Sequence, residues 1–186
     1  MQPSVFFRGS MKEERVVIFI DGSNLYHCFG EEFGTANIDW CEFGNVLCKG
    51  RKLIRIYYYN ATVRREDGEK RYRDQQRFFD RLQMIDYLTI RLGRLVKRGH
   101  TVTEKGVDVK LAVDMLRLAH NDAYDTAILV SGDGDFADAL EAIQDLGKHT
   151  ENAFCKTGSS LHLRQVCDKY VLVDQTMIKA CLVKAG

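Results

Sequence analysis

The sequence predicts a three-layer α/β/α domain with a mainly parallel central sheet. Apolar runs such as residues 16–20 and 127–130 are typical of strands that are covered on both faces. Segments with helical periodicity separate the strands, and this alternation favours parallel pairing. The 186-residue chain shows no repeat or low-complexity segment, so we expect one domain over residues 15–186 behind an N-terminal extension of residues 1–14.

The first half of the chain alternates between strand and helix signals. Behind the strand at 16–20, the apolar spacing from Leu25 to Phe29 suggests a helix, and Asp39 is a suitable N-cap for a second one. Residues 53–59 read LIRIYYY and are rich in strand formers, so their tyrosines are expected in the core. A basic helix over about 70–85 and a strand over 87–92 come next.

The second half continues the same alternation. Residues 94–104 alternate around Gly99 and predict a small hairpin or flap. A helix opens at Gly106 and keeps one apolar side up to Ala119. The remaining predicted elements are a strand at 127–130, a helix at 136–146, a strand at 148–154, a helix at 159–167, a strand at 170–173 and a helix at 175–183.

Composition and net charge indicate the class of protein but do not indicate which ligand it binds. The formal net charge is +1, so any surface for nucleic acid must be local. The six scattered cysteines include no CxxC pair, which predicts free thiols in a reducing compartment. No apolar run approaches the roughly 20 residues of a membrane span, and no secretory signal is evident. We therefore expect a cytoplasmic protein with no membrane partner.

Acidic residues follow two strands and start one helix. Asp21 ends the first strand, Asp133 and Asp135 follow the strand at 127–130, and Asp108 lies at a helix start. Strand ends and helix starts meet at one edge of such a sheet, where ligands bind. Clustered carboxylates repel one another unless a cation lies between them, and hard cations prefer oxygen ligands. These four are the predicted catalytic residues and ligands of Mg²⁺ or Mn²⁺.

Three further polar residues are candidates at this edge. Asn24 and Ser131 are placed to hydrogen-bond a metal-coordinated water or a phosphate oxygen. Asp114 lies six helical residues after Asp108 and so points roughly 120° away from it. Two interpretations stay open for Asp114, a residue at the edge of the site or a solvated charge. Taken singly, Asp21 suits a turn, and Asp133 suits a helix cap. Their joint occurrence favours a metal site for phosphodiester chemistry.

Three motifs carry a resemblance to a known family. They are VVIFIDGSNLY (16–26), KGVDVKLAVDML (105–116) and DTAILVSGDGDFADAL (125–140). In this order and spacing the chain resembles the NYN domain family of the PIN-like nuclease superfamily, specifically its bacterial LabA-like (DUF88) branch. The resemblance implies a Rossmann-like (PIN-like) fold, a divalent-metal site at Asp21, Asp108, Asp133 and Asp135, and hydrolysis of RNA with Asn24 near the site. It further implies that Asp114 is an additional ligand or a group behind the ligands.

Basic residues supply candidates for contact with the RNA, single-stranded or structured, that the resemblance implies as partner. Phosphate contacts from arginine and lysine, with bases stacked on nearby tyrosines, suit single-stranded RNA. The alternative is a merely solvated basic face, and position relative to the acidic edge decides between them. The sequence also leaves a homodimer or a protein partner open. The candidate substrate-binding residues are Arg64, Arg65, Arg71, Arg94, Lys97 and Arg98.

Three functions compete at this point. The first is a metal-dependent ribonuclease that hydrolyses RNA phosphodiester bonds with water activated between the carboxylates. The second is a non-catalytic NYN module that binds RNA or a protein in a regulatory role. The third is a haloacid-dehalogenase-type phosphohydrolase, which needs a second acid two residues after its nucleophile. The residue two positions after Asp21 is Ser23, so this third mechanism lacks its acid–base group.

Overall fold

The computed structural model describes residues 13–98 and 101–183, without the side chains of 67, 94–98 and 101–105. Seven strands form one sheet in the order β4-β3-β2-β1-β5-β6-β7. The strands are β1 (Arg15–Asp21), β2 (Lys52–Thr62), β3 (Leu88–Arg98), β4 (Thr101–Lys105), β5 (Thr126–Val130), β6 (His149–Phe154) and β7 (Lys169–Leu172). The helices are α1 (Gly22–Phe33), α2 (Trp40–Cys48), α3 (Glu69–Gln83), α4 (Val107–His120), α5 (Ala137–Asp145), α6 (Leu161–Val166) and α7 (Gln175–Ala180), with 3₁₀ turns at Arg65–Asp67 and Gly134–Phe136.

The chain reverses its direction of travel across the sheet between β1 and β5. From β1 it proceeds through β2 and β3 towards one side, and from β5 it proceeds through β6 and β7 towards the other. Those six strands are parallel, while β4 is antiparallel to β3. The crevice at the carboxyl ends of β1 and β5 is therefore the topological switch point of the sheet, where ligands bind in open α/β folds.

Helices cover both faces of the sheet, which confirms the predicted three-layer α/β/α fold. One face buries apolar residues of α1, α2, α3 and α7, including Phe29, Phe43 and Leu82. The opposite face buries residues of α4, α5 and α6, including Leu111 and Leu140. Because β1 and β5 contribute to both cores, their continuous apolar runs are explained by burial on two sides.

The strands β2 and β3 are longer than the sequence pattern predicts. Polar residues at the ends of both strands interrupt the apolar pattern by which a strand is predicted. The two strands pair from Ile56 opposite Leu88 to Thr62 opposite Arg94. The predicted hairpin is present, since Arg94 pairs with Lys105 and Arg98 with Thr101. Its turn at residues 99–100 lies outside the described residues. The tyrosines at 58 and 59 are buried, as predicted. The domain bounds at 15 and 186 stay a prediction.

The amino-terminal end of the sheet carries compensated charges. Glu151 of β6 is 5% exposed and accepts two hydrogen bonds from Arg51, at 2.8 and 2.9 Å, and one from Lys169 at 2.8 Å. Arg51 also contacts Glu14 at 3.0 Å. Burial by itself would raise the pKa of Glu151, but the hydrogen bonds from Arg51 and Lys169 outweigh it and lower that pKa. This ion cluster stabilises the end of the sheet that faces away from the predicted site.

Two sulfur atoms join distant parts of the chain. A disulfide links Cys28 of α1 to Cys155, which follows β6, across 127 residues. The prediction that all six thiols are free is therefore wrong for this pair. Cys41 is an exposed free thiol, whereas the thiols of Cys48, Cys167 and Cys181 are buried and free. Among the helices of the described residues, none is long and apolar enough to cross a membrane.

Candidate metal and nucleic-acid site

The first strand delivers Asp21 directly into the start of a helix. Asp21 is 5% exposed and serves as the N-cap of α1, where its Oδ1 accepts from the backbone N–H of Asn24 at 3.2 Å. A side chain at Gly22 would meet the ring of Tyr58, since a Cβ there would lie 2.4 Å from Cζ. The absence of a side chain at Gly22 thus allows the close approach of α1 to β2.

Ser131 joins the ends of the two strands that flank the switch point. It is fully buried, and its hydroxyl donates to Oδ2 of Asp21 at 3.1 Å. The same hydroxyl oxygen accepts from the backbone N–H of Asp133 at 3.1 Å. One side chain therefore orients the Asp21 carboxylate and holds the segment that carries Asp133.

Asn24 and Asp135 belong to the same hydrogen-bonded network. The Oδ1 of Asn24 accepts from the backbone N–H of Gly132 at 2.9 Å, which ties α1 to the loop after β5. Asp133 is half-buried and caps the 3₁₀ turn, with its Oδ1 accepting from the N–H of Asp135 at 3.0 Å. Asp135 itself is exposed. Asn24 and Ser131 contact the Asp21 carboxylate directly. Asp133 joins the network through its backbone N–H to Ser131, and Asp135 joins it through its backbone N–H to Asp133.

Asp108 lies at the same end of the sheet but on the α4 side. It occupies the first turn of α4 and is exposed. In that turn Lys110 donates to the carbonyl of Leu92 in β3 at 2.8 Å, which anchors the helix start beside the sheet edge. Within the described chain, no three of the predicted acids have carboxylate oxygens all within 4.8 Å of one another.

Asp114 is buried, and the side chains that it contacts do not belong to the hydrogen-bonded network around Asp21. Its Oδ2 accepts from the hydroxyl of Tyr59 at 3.0 Å and lies 3.6 Å from Arg91, while its Oδ1 accepts from Arg117 at 2.8 Å. Burial, followed by the negative charge of Asp114, raises the pKa of Tyr59 well above its ordinary value. The hydrogen bond to Asp114 raises the pKa of Arg117. Tyr59 is paired with Asp21 in the sheet register, so Asp114 supports the strand beside the site.

The predicted basic residues separate into three groups. Arg71 lines a groove between α1 and α3 that also includes Ser23, two residues after Asp21. Arg64 and Arg65 lie in the turn before α3, where they contact Glu66 at 3.3 Å and Glu69 at 3.1 Å. Strand β3 carries the backbone of the three remaining residues, whose side chains lie outside the described part of the structure: Arg94, Lys97 and Arg98.

The sequence pattern does not predict the groove itself. Its volume is about 1180 Å³, and we call it the α1–α3 groove. Tyr26 on its wall is 63% exposed and lies off the apolar side of α1, a periodicity signal that the sequence contains. The groove is defined by Ser23 and Tyr26 of α1, Asn60 of β2, and Lys70, Arg71 and Arg81 of α3.

The donor chemistry at the switch point fits a hard divalent cation. Asp21 and Asp133 offer carboxylate oxygens from adjacent parallel strands, and Asn24 and Ser131 fix those segments by hydrogen bonds. Such oxygen sets suit Mg²⁺ or Mn²⁺. Thiolate and imidazole groups are absent from this network of described residues. The assignment of these residues as metal ligands stays a prediction.

Comparisons with known proteins identify the family and the fold. The family model that describes the NYN domain matches residues 15–174. The Low amplitude and bright protein LabA of Synechococcus elongatus is 26% identical over 173 residues, which cover 87% of this chain and 85% of that protein. The crystal structure of a protein of unknown function from Vibrio parahaemolyticus superposes with a TM-score of 0.74 at 24% identity, covering 94% of this chain and 99% of the other. This last likeness shows the fold alone.

Proposed function

This chain belongs to the NYN domain family, and on that premise we propose that it is a divalent-metal-dependent ribonuclease that hydrolyses RNA phosphodiester bonds. The observation that carries the proposal is that Ser131 joins the Asp21 carboxylate to the backbone N–H of Asp133 across the switch point. Open α/β sheets bind their ligands at that crevice. A pair of oriented carboxylates there supplies the oxygen ligands that phosphodiester hydrolysis by metal ions requires.

The roles of the residues follow from their contacts. Asp21 and Asp133 are the proposed principal ligands, and the exposed Asp108 and Asp135 are proposed to complete the set. A Mg²⁺ or Mn²⁺ ion held there supplies a water of lowered pKa and neutralises charge on the phosphodiester oxygens. Ser131 and Asn24 hold the carboxylates in position. Asp114, which contacts Tyr59 and Arg117, is assigned a positioning role behind the ligands.

The test is a cleavage assay on defined RNAs. Wild-type protein, Asp21→Asn and Asp133→Asn are incubated with end-labelled single-stranded and hairpin RNAs in Mg²⁺, Mn²⁺ or EDTA. Asp138→Asn is the matched control, because Asp138 is an exposed acid in the first turn of α5 beyond the site. We expect metal-dependent cleavage by the wild type and the control. Both site variants are expected to lose it while their thermal unfolding stays cooperative.

Two outcomes would overturn the proposal. Equal cleavage by the wild type and both site variants would indicate a contaminating nuclease or a different site. RNA binding without cleavage in any metal, over the whole panel of RNAs, would instead favour the non-catalytic NYN module. Measuring binding of Mn²⁺ directly by calorimetry separates a site that holds no metal from one that holds metal without turnover.

A further inference from the structure

The basic residues of α3 differ in how far their charge is already neutralised. Arg73 contacts Glu69 at 2.8 Å, and Arg65 contacts the same carboxylate at 3.1 Å. Among the described residues, no carboxylate lies within 4 Å of the three cations that line the α1–α3 groove, which are Lys70, Arg71 and Arg81. Uncompensated cations on one wall attract phosphate groups, whereas paired ones contribute little.

Acids in the same wall do not cancel this charge. Glu69 lines the groove, but its carboxylate is already paired with Arg65 and Arg73. Asp74 is the other acid of the groove lining, and it stands against three cations of the same wall. The cations lie on one side of α3, since Arg71 and Arg81 are ten residues apart and flank Asp74 and Phe78 at helical spacing. Arg77 is exposed on the same helix and is not among the residues that line the groove.

The facing wall offers an aromatic ring to a base. Tyr26 is 63% exposed, and its ring packs edge-on against His27 at 5.9 Å between centroids. Deeper in the groove Trp40, Tyr58 and Phe78 pack against one another at 5.2 to 6.3 Å and form an apolar floor. An exposed aromatic ring above an apolar floor suits stacking of an unpaired nucleobase.

One wall of the groove begins close in the chain to the acidic network. Ser23 lines it two residues after Asp21 and donates its hydroxyl to Oδ1 of Asn60 at 3.2 Å. Gly22 packs against the ring of Tyr58, which belongs to the groove floor. A strand whose phosphate contacts Asp21 would therefore lie next to the groove wall that Ser23 forms. A volume of about 1180 Å³ exceeds the usual size of a pocket for one small ligand.

We propose that the α1–α3 groove binds the unpaired nucleotides next to the cleaved phosphate, so that the substrate class is single-stranded RNA. One base stacks on Tyr26, and the phosphates contact Lys70, Arg71 and Arg81. This inference rests on the proposed function for the position of the cleaved bond. Paired bases are already stacked within a duplex and are not available to Tyr26, so the groove selects single strands.

Binding of oligouridine, measured by fluorescence anisotropy in EDTA, tests the groove independently of cleavage. The probe is a labelled strand of about a dozen nucleotides, within the range that such sites cover. We expect Arg71→Gln/Arg81→Gln to weaken binding about tenfold and to reduce its salt dependence. Tyr26→Leu is expected to weaken binding about tenfold with an unchanged salt slope, because it removes stacking and no charge. The control Arg77→Gln should stay within about twofold of the wild type, as expected for an exposed residue outside the groove.

Competition identifies what the groove recognises. Unlabelled oligouridine should displace the probe, whereas duplex RNA and uridine monophosphate at the same nucleotide concentration should not. Equal binding by Arg71→Gln/Arg81→Gln and Arg77→Gln would overturn the proposal, as would equal competition by duplex RNA. Oligouridine binding that depends on the groove in a protein that never cleaves RNA would overturn the ribonuclease function and leave the groove intact. RNA cleavage that is unaffected by the groove variants would overturn the groove proposal and leave the ribonuclease function intact.

Discussion

Ser131 donates its hydroxyl to Asp21 across the switch point of the sheet, from the strand that also leads into Asp133. This contact makes the orientation of one carboxylate depend on the position of the other segment. Because Ser131 is fully buried, water cannot replace it in either hydrogen bond. The two acids are thus held as a unit before any ligand binds.

Replacing Ser131 should lower the affinity for metal although every proposed metal ligand remains in place. Ser131→Ala keeps every carboxylate but removes the donor to Asp21 and the acceptor for Asp133. We expect Mn²⁺ affinity, measured by calorimetry, to fall about tenfold, in the range seen when groups behind metal ligands are removed. The free energy of unfolding should fall by about 1–3 kcal/mol. Ser159→Ala is the control, because the exposed hydroxyl of Ser159 donates to the carbonyl of Lys156 within a loop. Unchanged affinity in Ser131→Ala would contradict this role.

Two glycine-to-alanine changes should have opposite effects on stability. A Cβ at Gly132 would lie 2.1 Å from the carbonyl oxygen of Gly158 and 2.5 Å from the Phe154 ring, so the backbone after β5 must shift. Gly132→Ala is expected to lower the free energy of unfolding by about 2 kcal/mol. A Cβ at Gly30 in α1 meets nothing within 4 Å. Gly30→Ala should therefore raise it by about 0.5–1 kcal/mol, as chemical denaturation would show.

The acidic edge was predictable because it depends on topology alone. Carboxyl ends of parallel strands share an edge, so Asp21 and Asp133 were expected there without knowledge of side-chain packing. The Tyr59–Asp114 contact was not predictable, since it requires the register of β1 against β2 and the path of α4 over them. The 120° offset from Asp108 does agree with a buried Asp114 and an exposed Asp108.

Local charge counts could not locate the substrate groove. The i,i+4 spacing of Arg65, Glu69 and Arg73 indicates pairing from sequence alone. That Arg71 and Arg81 face α1, by contrast, depends on how α3 packs beside it. The bond between Cys28 and Cys155 was equally hidden, because residues 127 positions apart carry no local signal.

The Cys28–Cys155 disulfide should make stability depend on reductant. Closing a loop of this length restricts the unfolded chain, so Cys28→Ser is expected to lower the free energy of unfolding by about 2–4 kcal/mol. Reductant should destabilise the wild type similarly and leave Cys28→Ser unaffected. Cys41→Ser, at an exposed free thiol, is the control and should behave like the wild type. Alkylation of all six cysteines in the unreduced, unfolded chain would contradict the bond.

The pH dependence of stability should report the ion cluster at Glu151. Its pKa is lowered below the ordinary 4.5, so its contribution is complete above about pH 4.5 and is lost as pH falls through the folded-state pKa. Glu151→Gln leaves Arg51 and Lys169 with an uncharged partner and should cost about 3 kcal/mol near neutral pH. Urea denaturation from pH 8 to pH 3 should show a constant difference from the wild type above about pH 5, which shrinks below pH 4.5 as Glu151 becomes protonated. Glu141→Gln, at an exposed position of α5, should follow the wild type throughout. A difference that persists undiminished in acid would mean that the loss came from packing and not from the charge of Glu151.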